Sequence, residues 1–387
     1  MKKTLLLLSL VSSLSSLAAT SGWIETKQEV GNKLYTGFDA KNTNFETVIK
    51  GEIKVNDVNL KAGGEFKLNG NASDVMDKKY KLNKGDSKIW AEYQLPDIQE
   101  VGSKIRVETK LDLEMKVQAE VFTTVEKVDY YAKAWYEGTK LFTTPKKAQG
   151  EVGFTHKGIE GFEYIGAKVF GGLTNISVNK TDDYEVIAEA YGQYTGVKDF
   201  KLKFVGKGIY KHTKDNGMIK HGYEFQVKAT PEYSKNNVSF IAEDSEIFYN
   251  ITGKYFKLVL KPEVKYTGIA NTTLGTKVES LYEFETNATK NWNVKPILFA
   301  EYRYMATDKL AIIPKGSIDL FIAKDKVKDK VFPTTVTPSL KLEYKPVSGV
   351  TFVAGAELPV TYNFKKDMQK TDIEVNAKGQ LQIKYEW

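Results

Sequence analysis

The last sixteen residues of the sequence, DIEVNAKGQLQIKYEW (Asp372–Trp387), decide the fold class. Charged or amide side chains occupy every second position, and apolar or small side chains occupy the positions between them. Successive side chains of a β-strand point to opposite faces of a sheet, so this period of two predicts a strand with one polar and one apolar face. Because the strand is long and stands at the end of the sequence, its open edge needs a pairing partner.

The same alternation recurs along most of the chain, for example in Phe45–Val55 and in Ile105–Val121. An apolar spacing of 3.6 residues, which is typical of amphipathic helices, is not sustained anywhere. Most segments run about 10–15 residues, longer than the ~5–6 residues of ordinary globular strands and sufficient for the ~9–11 tilted residues that cross a bilayer. We expect about 18 strands, within a range of roughly 16–20. Residues 104–122 fit either one long strand or a hairpin.

The connections between these segments are of two kinds. Four short ones begin at an aromatic ring and reach an apolar residue six positions later: His156–Phe162, Tyr194–Phe200, Tyr304–Leu310 and Tyr344–Val350. Others are longer and polar, such as TNISVNKTDD (Thr174–Asp183) and KHTKDNG (Lys211–Gly217). Short turns on one rim and longer loops on the other are typical of outer-membrane barrels. The candidates for a loop that folds into the lumen are residues 138–149, 173–183 and 323–334.

A large soluble β-sandwich would show the same alternation, with apolar side chains inside. Two features favour a membrane barrel. In lipid, unpaired backbone groups cost several kcal/mol each, so the sheet must close and the final strand must pair with the first. Many tyrosines also lie on the apolar phase near segment ends, where an apolar ring with a wet hydroxyl suits a membrane–water boundary. These tyrosines are Tyr93, Tyr136, Tyr184, Tyr194, Tyr210, Tyr223, Tyr266, Tyr302, Tyr344, Tyr362 and Tyr385.

We therefore predict an all-β fold, a transmembrane antiparallel up-and-down β-barrel. The first residues have the layout of a signal peptide: Lys2 and Lys3 precede a short apolar stretch, and Ser16 and Ala18 fit the small-x-small cleavage rule. We expect cleavage after Ala18, with the following bond as second choice. A membrane anchor is the alternative, but the apolar stretch is short and Ser-rich.

The expected organisation is a signal peptide over residues 1–18 and a barrel over residues 19–387. Residues 19–42 precede the first clear alternation, and we interpret them as a candidate periplasmic or lumen segment.

Composition excludes several classes of protein. The sequence contains no Cys, so disulfides, thiol chemistry and a lipidated N-terminus are excluded. Only Arg106 and Arg303 among the 56 basic residues are Arg, which argues against nucleic-acid recognition because that recognition relies on bidentate Arg contacts. Removal of Lys2 and Lys3 with the signal peptide lowers the formal charge from +7 to +5. This net charge is small for a chain of this size and does not indicate nucleic-acid binding.

The signal peptide, the absence of Cys, the alternating strands and a final aromatic residue together resemble a bacterial outer-membrane β-barrel of the porin type. In those families the insertion machinery recognises a last strand with alternate apolar residues and a terminal aromatic. Leu381, Ile383, Tyr385 and Trp387 match that pattern, although Phe is the commoner last residue. The Lys-rich, Arg-poor composition is faintly similar to that of fusobacterial-type porins.

The resemblance implies location in the outer membrane of a Gram-negative bacterium. It also implies three partners: the lipid bilayer, the insertion machinery and small hydrophilic solutes. Porins are often trimers, so a homotrimer stays open as an expectation.

The polar phase of the strands is expected to face the lumen, where cross-strand Lys–Glu pairs contribute roughly 0.2–1 kcal/mol each. The two Arg residues are either part of a constriction or ordinary wall residues. The aromatic residues among the lumen charges either stack on solutes or pack against neighbouring long side chains. The candidate pore-lining residues are Arg106, Glu108, Lys110, Asp112, Glu301, Arg303, Trp90, Tyr131 and Trp135.

These observations predict a porin-like channel for passive diffusion and ion transport. The alternative is a surface scaffold or adhesin that binds partners through its loops. An enzyme is not indicated, because His156, His212 and His221 stand at no metal-ligand spacing and carry no recognised catalytic motif. We expect no cofactor and no metal.

Overall fold

The structure is a computed structural model that describes residues 20–33, 44–55, 58–71, 81–139, 144–177, 180–215, 218–285, 291–324, 332–364 and 372–387. The expected signal peptide, residues 1–18, lies outside the described residues. Almost all described residues outside the turns are β-strand. The predicted all-β fold is therefore confirmed for this part of the chain.

The described residues form 26 strand segments in a single sheet. In chain order they are β1 (Thr20–Lys33), β2 (Asn44–Val55), β3 (Leu60–Asn71), β4 (Lys81–Leu82), β5 (Lys88–Ile98), β6 (Val101–Lys110), β7 (Met115–Val125), β8 (Val128–Thr139), β9 (Thr144–His156), β10 (Phe162–Ser177), β11 (Lys180–Tyr194), β12 (Phe200–Asp215), β13 (Met218–Lys235), β14 (Val238–Ala242), β15 (Ser245–Asn250), β16 (Tyr255–Leu260), β17 (Pro262–Ile269), β18 (Thr272–Glu285), β19 (Asn291–Tyr302), β20 (Tyr304–Thr307), β21 (Leu310–Leu320), β22 (Ile322–Ala323), β23 (Phe332–Tyr344), β24 (Val350–Glu357), β25 (Val360–Phe364) and β26 (Asp372–Glu386).

The sheet closes into an antiparallel up-and-down barrel. Six pairs of consecutive segments continue one strand across a short break, so the wall has 20 strands. Each wall strand pairs with its neighbours in sequence, and β1 pairs with β26 from Trp23↔Glu386 to Lys33↔Asn376. This last pairing joins the two ends of the sheet, as the alternation in the final strand predicts.

The strand number lies at the upper end of the expected range rather than at about 18. One additional strand is β1, because residues 20–33 stand in the wall instead of forming a periplasmic or lumen segment. Its outer face carries Gly22, Thr26 and Gln28 in addition to Ile24 and Val30, so the apolar phase is too weak to read from the sequence.

A second strand comes from residues 104–122, which form a hairpin. Strand β6 ends at Lys110 and β7 begins at Met115, and Leu113 in the turn has a φ of 70°. The turn does not interrupt the alternation of polar and apolar residues, so the period of two alone does not locate it.

The four short connections of the sequence pattern all lie at one rim, together with the beginning of β1 and the end of β26. Three of them share a five-residue geometry in which the last turn residue has a positive φ: Gly161 (80°), Asp199 (64°) and Gly349 (78°). In each, the next residue donates its N–H to the carbonyl three residues earlier, for example Phe162 to Ile159 at 3.1 Å. Glycine or Asp suits the left-handed position.

At the opposite rim, two expected long loops are largely strand. Strand β10 continues to Ser177 and β11 starts at Lys180, while β12 continues to Asp215 and β13 starts at Met218. The strands extend into these polar stretches, past the apolar part of the outer face. Backbone hydrogen bonds between strands form whether or not the side chains are apolar. The expectation of a long inward loop over residues 173–183 is therefore wrong.

The other two candidate inward loops are interrupted by residues that the structure does not describe. Residues 140–143 and 325–331 lie outside the described part of the chain. The described ends of these two stretches belong to β8, β9 and β23 and to the short segment that ends at residue 324.

The outer face of the barrel is apolar and well exposed. For example, Val152, Phe225 and Leu298 are 57%, 48% and 61% exposed. Other Val, Ile, Leu and Phe side chains on the same face of the wall are exposed as well. Tyrosines stand on the same face toward the strand ends. Those near the short-turn rim are Tyr93, Tyr130, Tyr233, Tyr266, Tyr302 and Tyr344, and those toward the other rim are Tyr184, Tyr223 and Tyr249.

The seam between the first and last strands runs to the final residue. The Trp387 N–H donates to the Gly22 carbonyl at 3.0 Å, and the Gly22 N–H donates to the Trp387 carbonyl at 3.1 Å. The Trp387 ring stacks on Tyr385 at 5.4 Å and covers Gly22, where a Cβ would lie 2.7 Å from the ring. Leu381, Ile383, Tyr385 and Trp387 share the outer face of the strand.

This seam predicts that Gly22→Leu impairs barrel closure, because its Cβ would also lie 2.5 Å from the Glu52 carbonyl oxygen. Heat-modifiable mobility on SDS gels measures the closed fraction after refolding into detergent, and we expect a clear loss for this variant. Gly31→Leu in the same strand is the matched control, since no atom lies within 4 Å of its Cβ position. Equal closed fractions for the two variants would contradict the proposed role of the seam.

Candidate functional site

The inner face of the wall carries the charged residues of the alternating pattern. On β8 to β12, side chains that alternate with the exposed apolar ones are half-buried and lie side by side across strands. A concave surface brings neighbouring side chains closer than a convex one, so long Lys and Glu side chains reach each other here. The lumen wall is therefore the candidate functional site.

Five of these residues form a continuous charge ladder across β8–β12. Lys133 Nζ lies 3.0 Å from Glu151, Lys168 Nζ lies 3.6 Å from Glu151 and 3.3 Å from Glu189, and Lys207 Nζ lies 2.9 Å from Glu189. Each Glu uses one carboxylate oxygen for each neighbouring Lys. The Glu side chains are only 11% exposed, so the pairs are shielded more than surface ion pairs.

Arg106 stands at the centre of a second group. Its guanidinium lies 4.1 Å from the centre of the Trp90 ring, 3.3 Å from Glu108 and 3.8 Å from Glu92. Lys88 Nζ also approaches Glu108 at 3.4 Å. Trp90 and Glu108 therefore belong to one packed cluster of cation–π and ion-pair contacts. The positive charge of Arg106 is balanced by Glu92 on the neighbouring strand β5 and by Glu108 on its own strand β6.

Lys110 and Asp112 lie at the rim and not in mid-wall. Lys110 ends β6 and pairs with Glu114 at 3.4 Å. Asp112 lies in the turn, where its Oδ1 accepts a hydrogen bond from the Glu114 N–H at 3.2 Å, so its expected place on the wall is wrong. Burial works against ionisation of Glu114, but hydrogen bonds and charges of Lys146 and Lys110 outweigh it and lower the pKa of this carboxyl.

Glu301 and Arg303 are neighbours in sequence but not partners. Glu301 faces the lumen on β19 opposite Lys315. Arg303 lies between β19 and β20 near the short-turn rim and pairs with Glu343 at 2.7 Å. Arg106 lies on the fifth wall strand and Arg303 lies at the short break in the sixteenth, so the structure does not bring the two Arg residues together.

Tyr131 and Trp135 pack against their neighbours on the wall. The Tyr131 hydroxyl donates to Glu151 at 2.9 Å, and Lys133 Nζ lies 4.8 Å from the centre of its ring. Trp135 donates its Nε1–H to Gln149 at 3.1 Å and stacks on Phe170 with 5.4 Å between ring centres. Both aromatic rings therefore contact neighbouring side chains of the lumen wall.

Sequence reasoning missed two features of the wall. The charge ladder is invisible in the sequence because its members come from five strands and depend on register. The second feature is a lumen-facing group of apolar residues, Phe170, Ile187 and Ile209, in consecutive register on β10, β11 and β12. The only sequence signal for it is a local break in the polar phase of these strands.

A cavity of about 830 Å³ opens on the other side of the lumen, where β1–β3 approach the strands from β19 to β26. Polar side chains such as Glu29, Glu46, Lys315 and Lys341 line it. Apolar side chains such as Val30, Ile313 and Leu340 line it as well, so this part of the lumen has a mixed polar and apolar surface.

The three histidines lie apart from the lumen charges. His156 accepts the Gly158 N–H at 2.9 Å through Nδ1, and His212 and His221 pack together at 5.2 Å beside tyrosines on the outer face. Within the described ranges, no three His, Cys, Asp or Glu side chains come together as a metal site would require. Within the same ranges, no helix has the length and apolar character needed to cross a membrane.

Comparison with known proteins gives structural likeness only. No family model and no curated sequence matches the chain. Three similar solved structures are OccAB2 of Acinetobacter baumannii (10% identity, TM-score 0.46, 95% of this chain and 98% of that one), OpdL of Pseudomonas aeruginosa (9%, 0.44, 96% and 99%) and the outer membrane protein opdK of Pseudomonas aeruginosa (8%, 0.43, 95% and 99%). All three TM-scores are below 0.5, so these structures do not establish the fold of this chain. The fold is established by the strand pairing of the chain itself. That pairing confirms, at the level of architecture, the resemblance to porin-type outer-membrane barrels.

The charge ladder predicts that Lys168→Met destabilises the barrel, because it removes the counter-charge that Glu151 and Glu189 share. With two pairs lost at roughly 0.2–1 kcal/mol each, we expect the free energy of unfolding to fall by about 1 kcal/mol. Urea unfolding in detergent, followed by Trp fluorescence, measures the change. Lys203→Met, which loses one half-exposed pair to Glu232, is the control and should change stability less.

Proposed function

We propose that this protein is a porin-like channel through which small hydrophilic solutes and ions diffuse across the bacterial outer membrane. The observation that supports it best is the two-sided wall of a closed barrel. Its outer face is apolar, and its inner face carries many paired Lys and Glu residues, such as those of the charge ladder. Lipid suits the first surface and water suits the second.

The strand number supports an open lumen. Barrels of about 16–18 strands already enclose a water-filled channel, because side chains no longer reach across the interior. With 20 wall strands this barrel is wider still. No catalytic step is part of the proposal, since a polar wall alone selects hydrated solutes over lipids and large apolar molecules.

The charges of the ladder are neutralised locally. Lys168 lies between Glu151 and Glu189, and Arg106 lies between Glu92 and Glu108. Paired charges produce a weak field a few ångströms from the wall, because the potentials of opposite charges cancel and salt screens the rest over about 8–10 Å. We therefore propose weak selectivity between simple cations and anions along this part of the lumen.

The proposal includes the outer membrane as location, its bilayer as environment and the insertion machinery as a partner. The final strand supports this, since Leu381 stands exposed on the outer face near the end of the chain and Tyr385 stacks on Trp387 at the rim. Export through the signal peptide and a homotrimeric assembly remain predictions.

The scaffold or adhesin alternative depends on loops at the rim opposite the short turns. Several of those connections, including residues 34–43 and 365–371, lie outside the described residues. Nothing in the described part of the chain favours this alternative over the channel.

The proposed function predicts discrete conductance steps in a planar bilayer. The purified mature chain, added from detergent in KCl, should give steps with linear current–voltage relations, because a rigid polar lumen conducts ions in proportion to voltage. A detergent-only addition is the control. A membrane that stays silent although the protein is inserted and closed would overturn the channel and leave the scaffold interpretation.

The proposed lipid contact predicts that the same substitution costs different amounts of folding free energy at two adjacent residues. Leu298→Lys places an ammonium on the outer face near the middle of β19 and should cost about 2–4 kcal/mol of folding free energy in liposomes. Ile297→Lys places the same group in the lumen, between Lys277 and Asp319, where water can hydrate it, and should cost much less. Folding yields into liposomes across a urea series measure both, and equal costs would show that the outer face does not contact lipid.

A further inference from the structure

We infer that the lumen carries a binding site for small apolar cations, that is, solutes with an ammonium group next to an apolar group. The site is the apolar patch, defined as Phe170, Ile187, Ile209 and the stacked ring of Trp135. The inference rests on the proposed channel function and adds a class of solute to it.

The patch is contiguous and faces the lumen. Phe170 is the register partner of Ile187, and Ile187 is the register partner of Ile209. Ile187 lies between Glu185 and the ladder residue Glu189 on the same face of β11, while the alternate residue Val186 is exposed on the outer face. The three apolar residues are half-buried, so part of their surface is open to solutes.

The size of the patch suits a small solute. Three adjacent strands spaced about 4.8 Å apart place the outer members of the patch about 10 Å from each other. Trp135 extends the surface by stacking on Phe170 with an angle of 26° between the rings. An apolar group as large as a phenyl ring can lie on such a surface. The contact removes apolar area of both the ring and the patch from water, and the gain in binding free energy is proportional to that area.

Charged residues surround the patch, and their pairing distinguishes between cationic and anionic solutes. Lys168 is shared by two carboxylates, Lys207 lies 2.9 Å from Glu189, and Lys211 lies 2.9 Å from Glu224. Lys116 Nζ lies 5.0 Å from the centre of the Trp135 ring and 3.4 Å from Glu137, so each of these four ammonium groups already has a close carboxylate. An anionic solute would have to displace one of these carboxylates to bind.

Glu185 is the least satisfied carboxylate at the border. Its ion pair with Lys211 measures 4.0 Å, because Lys211 lies closer to Glu224. The register partner of Glu185 on β10 is Gly172, which places no side chain beside it. Glu185 is two residues from Ile187 on the same face, so an ammonium beside Glu185 holds its apolar group over the patch.

Block of single-channel current in KCl at neutral pH tests the inference with three probes. These are 2-phenylethylammonium, which has both an apolar ring and a positive charge, 3-phenylpropionate, which has the ring with a negative charge, and 2-hydroxyethylammonium, which has the charge without the ring. We expect 2-phenylethylammonium to block at a concentration at least about tenfold lower than either of the others. Equal block by the carboxylate, or by the amine without the ring, would overturn the inference.

Two variants locate the site. Ile187→Ser should weaken block by 2-phenylethylammonium several-fold, and Glu185→Gln should weaken it while sparing the weak block by 3-phenylpropionate. Ile297→Ser is the matched control, since Ile297 is also a lumen-facing Ile but lies on β19. Heat-modifiable mobility on SDS gels establishes that each variant forms a closed barrel. Equal effects of Ile187→Ser and Ile297→Ser would show that the apolar patch is not the site.

The outcome separates this inference from the proposed function. A closed barrel that gives no conductance in KCl alone would contradict the channel itself. A barrel that conducts in KCl but shows no preference among the three probes would leave the channel intact and remove only the binding site.

Discussion

Closure of the sheet is the constraint on which the rest of the structure depends. A strand that ends a sheet exposes a row of unpaired N–H and C=O groups, and in a hydrocarbon environment those groups have no other partner. Here the first and last wall strands pair along eleven register positions and continue to mutual hydrogen bonds between Gly22 and Trp387. Glycine at position 22 is what allows the Trp387 ring to lie over the seam.

Closure also gives the two faces different packing. The outer face is convex, so side chains such as Val152 and Leu298 diverge and are more than half exposed. The inner face is concave, so long charged side chains converge. This convergence produces the charge ladder, in which Lys168 bridges Glu151 and Glu189 across three strands. One alternating sequence therefore gives an apolar surface suited to lipid and a neutralised polar surface suited to water.

The interruption of this polar surface has a functional consequence. Three consecutive register positions on this face are occupied by apolar residues, namely Phe170, Ile187 and Ile209. The nearby Lys side chains are paired with Glu. This part of the charged wall thus contains a place where an apolar group can leave water. The open side of Glu185 gives that place a preference for positive charge.

The sequence by itself determined the class of fold, because a period of two is a property of consecutive residues. It indicated the closing role of the last strand, the rim with short turns and the polar nature of the lumen. It did not locate the wall strand β1, since Thr26 and Gln28 weaken its apolar phase, or the hairpin at Leu113, where the alternation continues through the turn.

Partners across strands were decided only by the tertiary structure. Members of the charge ladder are separated by 17 to 21 positions in the chain, and the register of each strand pair selects which Lys meets which Glu. The same holds for Arg106 with Glu92, for Arg303 with Glu343 rather than Glu301, and for the apolar patch. A shift of two residues in register would keep each of these side chains on its face but give it a different partner, so the alternation of a strand cannot specify its neighbours.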